Sequence, residues 1–325
     1  MKYLLIFVVI VAVRANSFSQ SKEIEGKWIL DKVVYKSGET LEINNELYSN
    51  ELFYIIKPKE LQINEQKFAA QFSKNQIKTA FRKINYSLED NYLKIMDPSL
   101  DRIEYFLTAA DFVEKYPEFK MKEVVIGQDS LFVANITTDY EFNNELTLDD
   151  FINKNMPIRE SNKNNNLNFK IEFILTKESI IKDIKILHPI STEYDNNYVK
   201  ALKKAAPFFK NNTQKNIVIT IEKEYVQFYE DRIDPNEKEL YNILMRGDAF
   251  YRNNEFEEAI LEYNKIKQLQ IKNNHYKFTI KNAMKRLAIS YLATGNPTKA
   301  CENFKQLGDI TDFSVRNYLL NFCKE

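Results

Sequence analysis

Two stretches near the C-terminus carry the same arrangement of small and bulky residues at the same internal spacing. No other feature of the chain constrains its fold as much. The first runs Gly247, Phe250, Ala259, Tyr263 and Ile266, and the second Ala288, Tyr291, Ala300, Phe304 and Leu307. Successive positions are three, nine, four and three residues apart in both. Steps of three and four keep side chains on one helix face. The step of nine crosses a turn, where Asn254 or Gly295 stands. A small residue lets two helix backbones approach, and an aromatic ring packs into the gap beside it. Each stretch therefore predicts a helical hairpin.

This pattern resembles the tetratricopeptide repeat, whose hairpins stack to present a binding face. The resemblance covers residues 235–325, with the two copies 41 positions apart rather than the usual 34 or so. The extra residues fall around Gln268 to His275. Carried over position by position, the resemblance implies a groove lined by the first helix of each hairpin. It would include Tyr241, Leu244, Asp248, Tyr251 and Arg252, then Lys285, Ile289 and Leu292. Tyr251 beside Arg252 offers an aromatic platform and a cation, a pairing enriched at binding hot spots. The competing expectation is that some of these side chains pack against a neighbouring domain. Either way the resemblance implies an interaction protein rather than a catalyst.

The N-terminus predicts export. Lys2 precedes ten apolar residues, Leu4 to Val13, and Arg14 ends the run. Crossing a bilayer core needs roughly 20 apolar residues, so residues 1–19 read as a secretory signal peptide rather than an anchor. No cysteine follows the run to carry a lipid. The expected mature protein lies in the periplasm or is secreted, with no integral membrane span after signal cleavage.

Basic and acidic residues balance at 46 each, leaving no field to draw in nucleic acid. The two cysteines, Cys301 and Cys323, lie close together near the C-terminus. In an oxidising compartment such a pair predicts a disulfide; the alternative is two buried thiols packed as small hydrophobes. A zinc site would need further ligands, and His188 and His275 stand elsewhere in sequence, so no metal or other cofactor is expected.

Residues 20–140 alternate short β-type runs with polar turns: Phe53 to Ile56, Ile84 to Leu88, Ile103 to Leu107 and Leu131 to Val133. This predicts an antiparallel meander curled into a barrel or half-barrel. Gly26-x-Trp28 in the first strand resembles the lipocalin opening motif, in which tryptophan plugs the barrel base.

Residues 145–228 change character. Phe169, Ile171, Phe173 and Leu175 alternate as a strand, and Ile184 and Ile186 mark a second. Tyr194 to Ala206 reads as a helix with a stripe of Tyr198, Leu202 and Ala205 opposite Lys200, Lys203 and Lys204. Ile217, Ile219 and Ile221 mark a third strand. This β-β-α-β order is similar to the C-terminal domain of TonB, with Glu178 where that family often has glycine. Pro207-Phe208-Phe209 approximates its aromatic-x-Pro signature. The chain lacks the proline-rich spacer of a TonB energy transducer.

No phosphate loop, His-Glu-x-x-His or Gly-x-Ser-x-Gly sequence is present. Asp149-Asp150 reads as a helix cap rather than an acid–base pair. The expectation is a multidomain α+β protein that is not an enzyme. Its predicted partners are envelope proteins or peptides. Two alternatives stand beside it: engagement of an outer-membrane receptor in TonB-dependent transport, and carriage of a small apolar ligand in a hollow β-barrel.

Overall fold

The structure is a computed structural model that describes residues 22–126, 129–157, 167–225, 234–271 and 276–323. The predicted signal peptide and His275 lie outside the described residues. The fold is mixed α+β, with an antiparallel sheet toward the N-terminus and helices toward the C-terminus. The chain forms two compact units. Of the described residues, the first contains those up to Leu41, from Glu51 to Phe151 and from Phe208 to Lys215. The second contains the described residues of Glu42–Asn50, Ile152–Pro207 and those from Asn216 to Cys323.

The first unit is built on β1 (Gly26–Val34), β2 (Phe53–Lys57), β3 (Glu60–Ile63), β4 (Gln66–Ala69), β5 (Gln71–Ser73), β6 (Gln76–Lys78), β7 (Lys83–Glu89), β8 (Tyr92–Met96) and β9 (Ile103–Thr108). They pair in the order β4-β3-β2-β1-β9-β8-β7-β6-β5, every neighbour antiparallel. The pairing of β9 with β1 curls the meander into a nearly closed barrel. Its two edges, β4 and β5, are consecutive in the chain and separated by buried Ala70.

Period-two alternation sends one side chain of each pair inward. Trp28, Leu30, Tyr54, Ile56, Leu61, Ile77, Ile84, Tyr86, Leu93, Ile95 and Phe106 form one buried cluster there. Tyr54 and Phe106 meet ring to ring at 4.6 Å, and the Trp28 indole donates to the Ile24 carbonyl at 2.8 Å. The barrel interior is therefore filled by its own side chains.

A bulge in β1 sets Asp31 out of register. Its carboxylate accepts from Tyr116 Oη at 2.7 Å, Lys115 Nζ at 2.6 Å and Tyr92 Oη at 2.9 Å. These bonds hold α1 (Ala109–Lys115), capped at Thr108, against the wall. The unit also contains the hairpin β10 (Glu123–Ile126) and β11 (Asp129–Val133). Strand β12 (Tyr140–Phe142) precedes α2 (Leu148–Asn155). It pairs with β15 (Phe209–Asn211), where Phe142, Phe151, Phe208 and Phe209 cluster.

In the second unit, β13 (Leu167–Leu175), β14 (Ile181–His188), α3 (Thr192–Ala205) and β16 (Ile217–Tyr225) follow the predicted order. Strand β13 lies between β14 and β16, antiparallel to both. Ser191 caps α3, whose Tyr194 and Tyr198 rings pack on Phe169 at 5.1 and 4.6 Å. Lys200, Lys203 and Lys204 stay on the exposed face.

Among the described residues, five α-helices follow: α4 (Pro235–Arg252), α5 (Phe256–Asn264), α6 (Lys277–Ala293), α7 (Pro297–Leu307) and α8 (Phe313–Phe322). Asp234 caps α4, Asn296 caps α7 and Asp312 caps α8, with proline at the first position of α4 and α7. Asn254 and Gly295 take positive φ, +61° and +74°, and turn the chain between paired helices. Gly247 lets α4 meet α5, since a Cβ there would stand 2.6 Å from the Tyr263 ring. Ala259, Ala288, Ala300 and Phe304 are fully buried in the same core.

Candidate functional site

The face formed by α4, α6 and α8 carries a bound segment of the chain itself. Glu42–Asn50 lies between β1 and β2 in sequence, yet it belongs to the helical unit. The segment is shaped locally first. Asn45 accepts from Leu47 N at 3.1 Å and caps a 3₁₀ turn, Glu46–Ser49. Tyr48 N donates to the Asn45 carbonyl at 3.0 Å. The carbonyls of Ile43 and Tyr48 are bonded from outside the turn.

The helices supply those donors. Tyr318 Oη donates to the Ile43 carbonyl at 2.8 Å, and Asn317 Nδ2 donates to the Tyr48 carbonyl at 2.8 Å. Both residues stand on α8. Lys285 Nζ on α6 reaches Ser49 Oγ at 3.2 Å, and Asn44 Nδ2 donates at 2.7 Å to Asn254 Oδ1 in the turn after α4. The Tyr48 ring stacks on Tyr318 at 5.6 Å and meets Phe322 at 6.5 Å. Ile43 and Tyr48 both pack on the helical core. Glu46 lies within electrostatic reach of Lys285 and Tyr251. The grip thus combines carbonyl recognition, an aromatic slot and a cation.

Cys301 on α7 and Cys323 at the end of α8 form a disulfide, with Cα atoms 5.5 Å apart. It ties down the helix that carries Asn317, Tyr318 and Phe322. Tyr318 in turn lies flat on Phe304 of α7 at 4.7 Å.

The eight groove residues expected from the repeats divide into distinct groups. Tyr251 and Lys285 stand beside the bound segment; burial pushes the Tyr251 phenol up and the Lys285 ammonium down, the latter aided by neighbouring Arg286. Leu244, Ile289 and Leu292 belong to the helical core. Asp248 pairs with Arg286 and accepts from Tyr263 Oη, both at 2.5 Å. Tyr241 and Arg252 are exposed on α4.

Sequence reasoning missed Tyr48, Asn317, Tyr318 and Arg286. Arg286 lies over the Tyr251 ring at 5.8 Å while it pairs with Asp248, so it couples two of the expected groove residues. The signal for the segment was Ile43, Leu47 and Tyr48 spaced within an otherwise polar stretch.

The first unit has a separate cavity of about 340 Å³ on the outer face of β1–β3. Lys27, Phe53, Ile55 and Gln62 line its floor, with Tyr140, Glu141 and Phe209 among the residues opposite. Lys27 Nζ donates to the Thr138 carbonyl at 2.9 Å and sits over the Phe53 ring. Burial draws its ammonium down to about 8, against the pull of Asp139 and Glu51. Among the described residues, no group of three or more His, Cys, Asp or Glu side chains is placed to hold a metal ion. Nor is any described helix long and apolar enough to cross a membrane.

Comparisons with protein families, with curated proteins and with solved structures gave no match for this chain.

Proposed function

We propose that this protein is a non-enzymatic binding protein of the bacterial envelope, exported by its N-terminal segment, that captures peptides or protein tails on its helical hairpins. The observation that carries this reading is the grip on Glu42–Asn50. Side chains of α8 hold two backbone carbonyls and the aromatic ring of a short segment, while Lys285 of α6 and Asn254 after α4 hold its polar side chains. Repeats of the tetratricopeptide kind bind helices or tails in the same manner, by a groove built from the first helix of each hairpin. The reading needs no cofactor.

A second reading rests on the middle module. Its β-β-α-β order is similar to the TonB C-terminal domain, and β14 is an edge strand. An extended segment of an outer-membrane receptor can add to such an edge through main-chain hydrogen bonds. Carriage of an apolar ligand inside the barrel is not proposed, because Trp28, Tyr54, Phe106 and their neighbours occupy that space.

Capture from envelope extracts tests the first reading. The full chain should retain specific proteins, and Lys285→Glu should lose them while its thermal unfolding stays close to that of the parent. Equal capture by parent and variant would move binding away from the hairpins. Loss only on altering the β14 edge would favour the second reading.

A further inference from the structure

We propose that Glu42–Asn50 is a resident ligand of the helical groove, and that the external partner is a short peptide repeating its chemistry. That chemistry is an aromatic residue on a single helical turn, with its own carbonyl and one five positions earlier both accepting from the groove. This inference rests on the reading of the hairpins as a peptide-binding surface and adds what they bind and how access is controlled.

Three features separate the segment from an ordinary connecting loop. Its hold on the helices is directional: Tyr318 and Asn317 each donate to one of its carbonyls, contacts that read backbone rather than a particular side chain. Its side chains fill distinct places, with Tyr48 on Tyr318 and Phe322, Ser49 Oγ against Lys285 Nζ and Asn44 on Asn254. Its hydrogen-bond partners come from α6, α8 and the turn after α4. A filler of core space needs no such directed donors; a groove ligand does.

Tethering raises the local concentration of the segment to the millimolar range for a short link. An outside peptide therefore meets a groove that is already filled, and its apparent affinity falls by the fraction of molecules with the groove open. Removing the aromatic anchor inside the chain should restore access. Truncating a central aromatic anchor typically weakens binding by roughly thirtyfold or more.

The test uses the full chain and a fluorescent synthetic peptide with the sequence of residues 41–51. Tyr48→Ala in the protein should raise the affinity for this peptide at least ~10-fold over the parent. Lys285→Glu added to Tyr48→Ala should abolish the gain, as should a peptide carrying alanine for its tyrosine. A second variant, with Ile43 to Ser49 replaced by glycine and serine at unchanged length, serves if Tyr48→Ala does not fold. Sedimentation accompanies each titration. Equal or weaker peptide binding by both variants, with their helical content intact, overturns the proposal. So does a concentration-dependent dimer of the parent that exchanges this segment, because the occupant would then be a second copy. Capture from envelope extracts separates this from the underlying reading. Partners retained equally by parent and Tyr48→Ala uphold peptide binding by the hairpins and sink the resident ligand. A gain for the synthetic peptide without any captured protein does the reverse.

Discussion

Tyr48 and Tyr318 stack with ring centroids 5.6 Å apart, although 270 positions separate them in sequence. Tyr318 is at once the floor of the Tyr48 slot, the donor to the Ile43 carbonyl and the partner of Phe304. One buried side chain thus joins the bound segment to the helical core.

Replacing Tyr318 should separate those roles. Tyr318→Phe keeps both stacks and loses the hydrogen bond, at a cost of about 1 kcal/mol. Tyr318→Ala also empties a buried aromatic site and should cost ~3–5 kcal/mol. Urea unfolding of both variants measures the difference, and equal values for the two would mean the rings contribute nothing.

Gly247 marks where α4 and α5 come closest. A methyl group there would press on the Tyr263 ring at 2.6 Å, too close for the ring to accept without moving. Gly247→Ala should therefore destabilise the helices by about 1–3 kcal/mol. In a Tyr263→Leu background the same change should cost less, by a coupling of roughly 0.5 kcal/mol or more. Strict additivity across that double-mutant cycle would argue against the contact.

The Cys301–Cys323 bridge closes a loop of sequence separation 22. Loop-closure entropy gives such a bridge around 3 kcal/mol, before any native strain is subtracted. Reductant should lower the unfolding midpoint by a corresponding amount. Because α8 carries the residues that hold Tyr48, hydrogen exchange in Glu42–Asn50 should quicken on reduction. Alkylation of the native protein without reductant should label neither cysteine.

Acid should weaken the barrel. Burial favours the protonated form of Asp97, but hydrogen bonds from Ser99 and Arg82 outweigh it and hold the carboxyl at about 2, below its ordinary 3.8. A folded pKa below the unfolded one gives stability that is complete above about pH 4 and lost as pH falls toward 2. The contribution is roughly 2 kcal/mol, because each tenfold change in proton affinity is worth ~1.4 kcal/mol. Arg82→Met should move the acid-unfolding midpoint to higher pH. An unchanged midpoint would show that this ion pair does not set acid stability.

Features that depend on near neighbours were legible in the order of residues alone. Helical hairpins followed from small and aromatic residues at matched steps, and their turns from Asn254 and Gly295, which take positive φ readily. Alternation in Phe169 to Leu175 gave β13, and one-sided burial then fixed which residues face inward. Features that join distant segments emerged only when the chain was folded. The closure of β9 on β1, the Asp31 carboxylate at a bulge and the Lys27 cavity each join positions whose separation leaves no periodic trace. Glu42–Asn50 is the clearest case. Locally it is a short turn capped by Asn45 with a few apolar residues, which marks it for burial but not for a place. Its place on α4, α6 and α8 depends on carbonyl hydrogen bonds and on one ring stack. Neither leaves a pattern in sequence, because backbone carbonyls are the same at every residue.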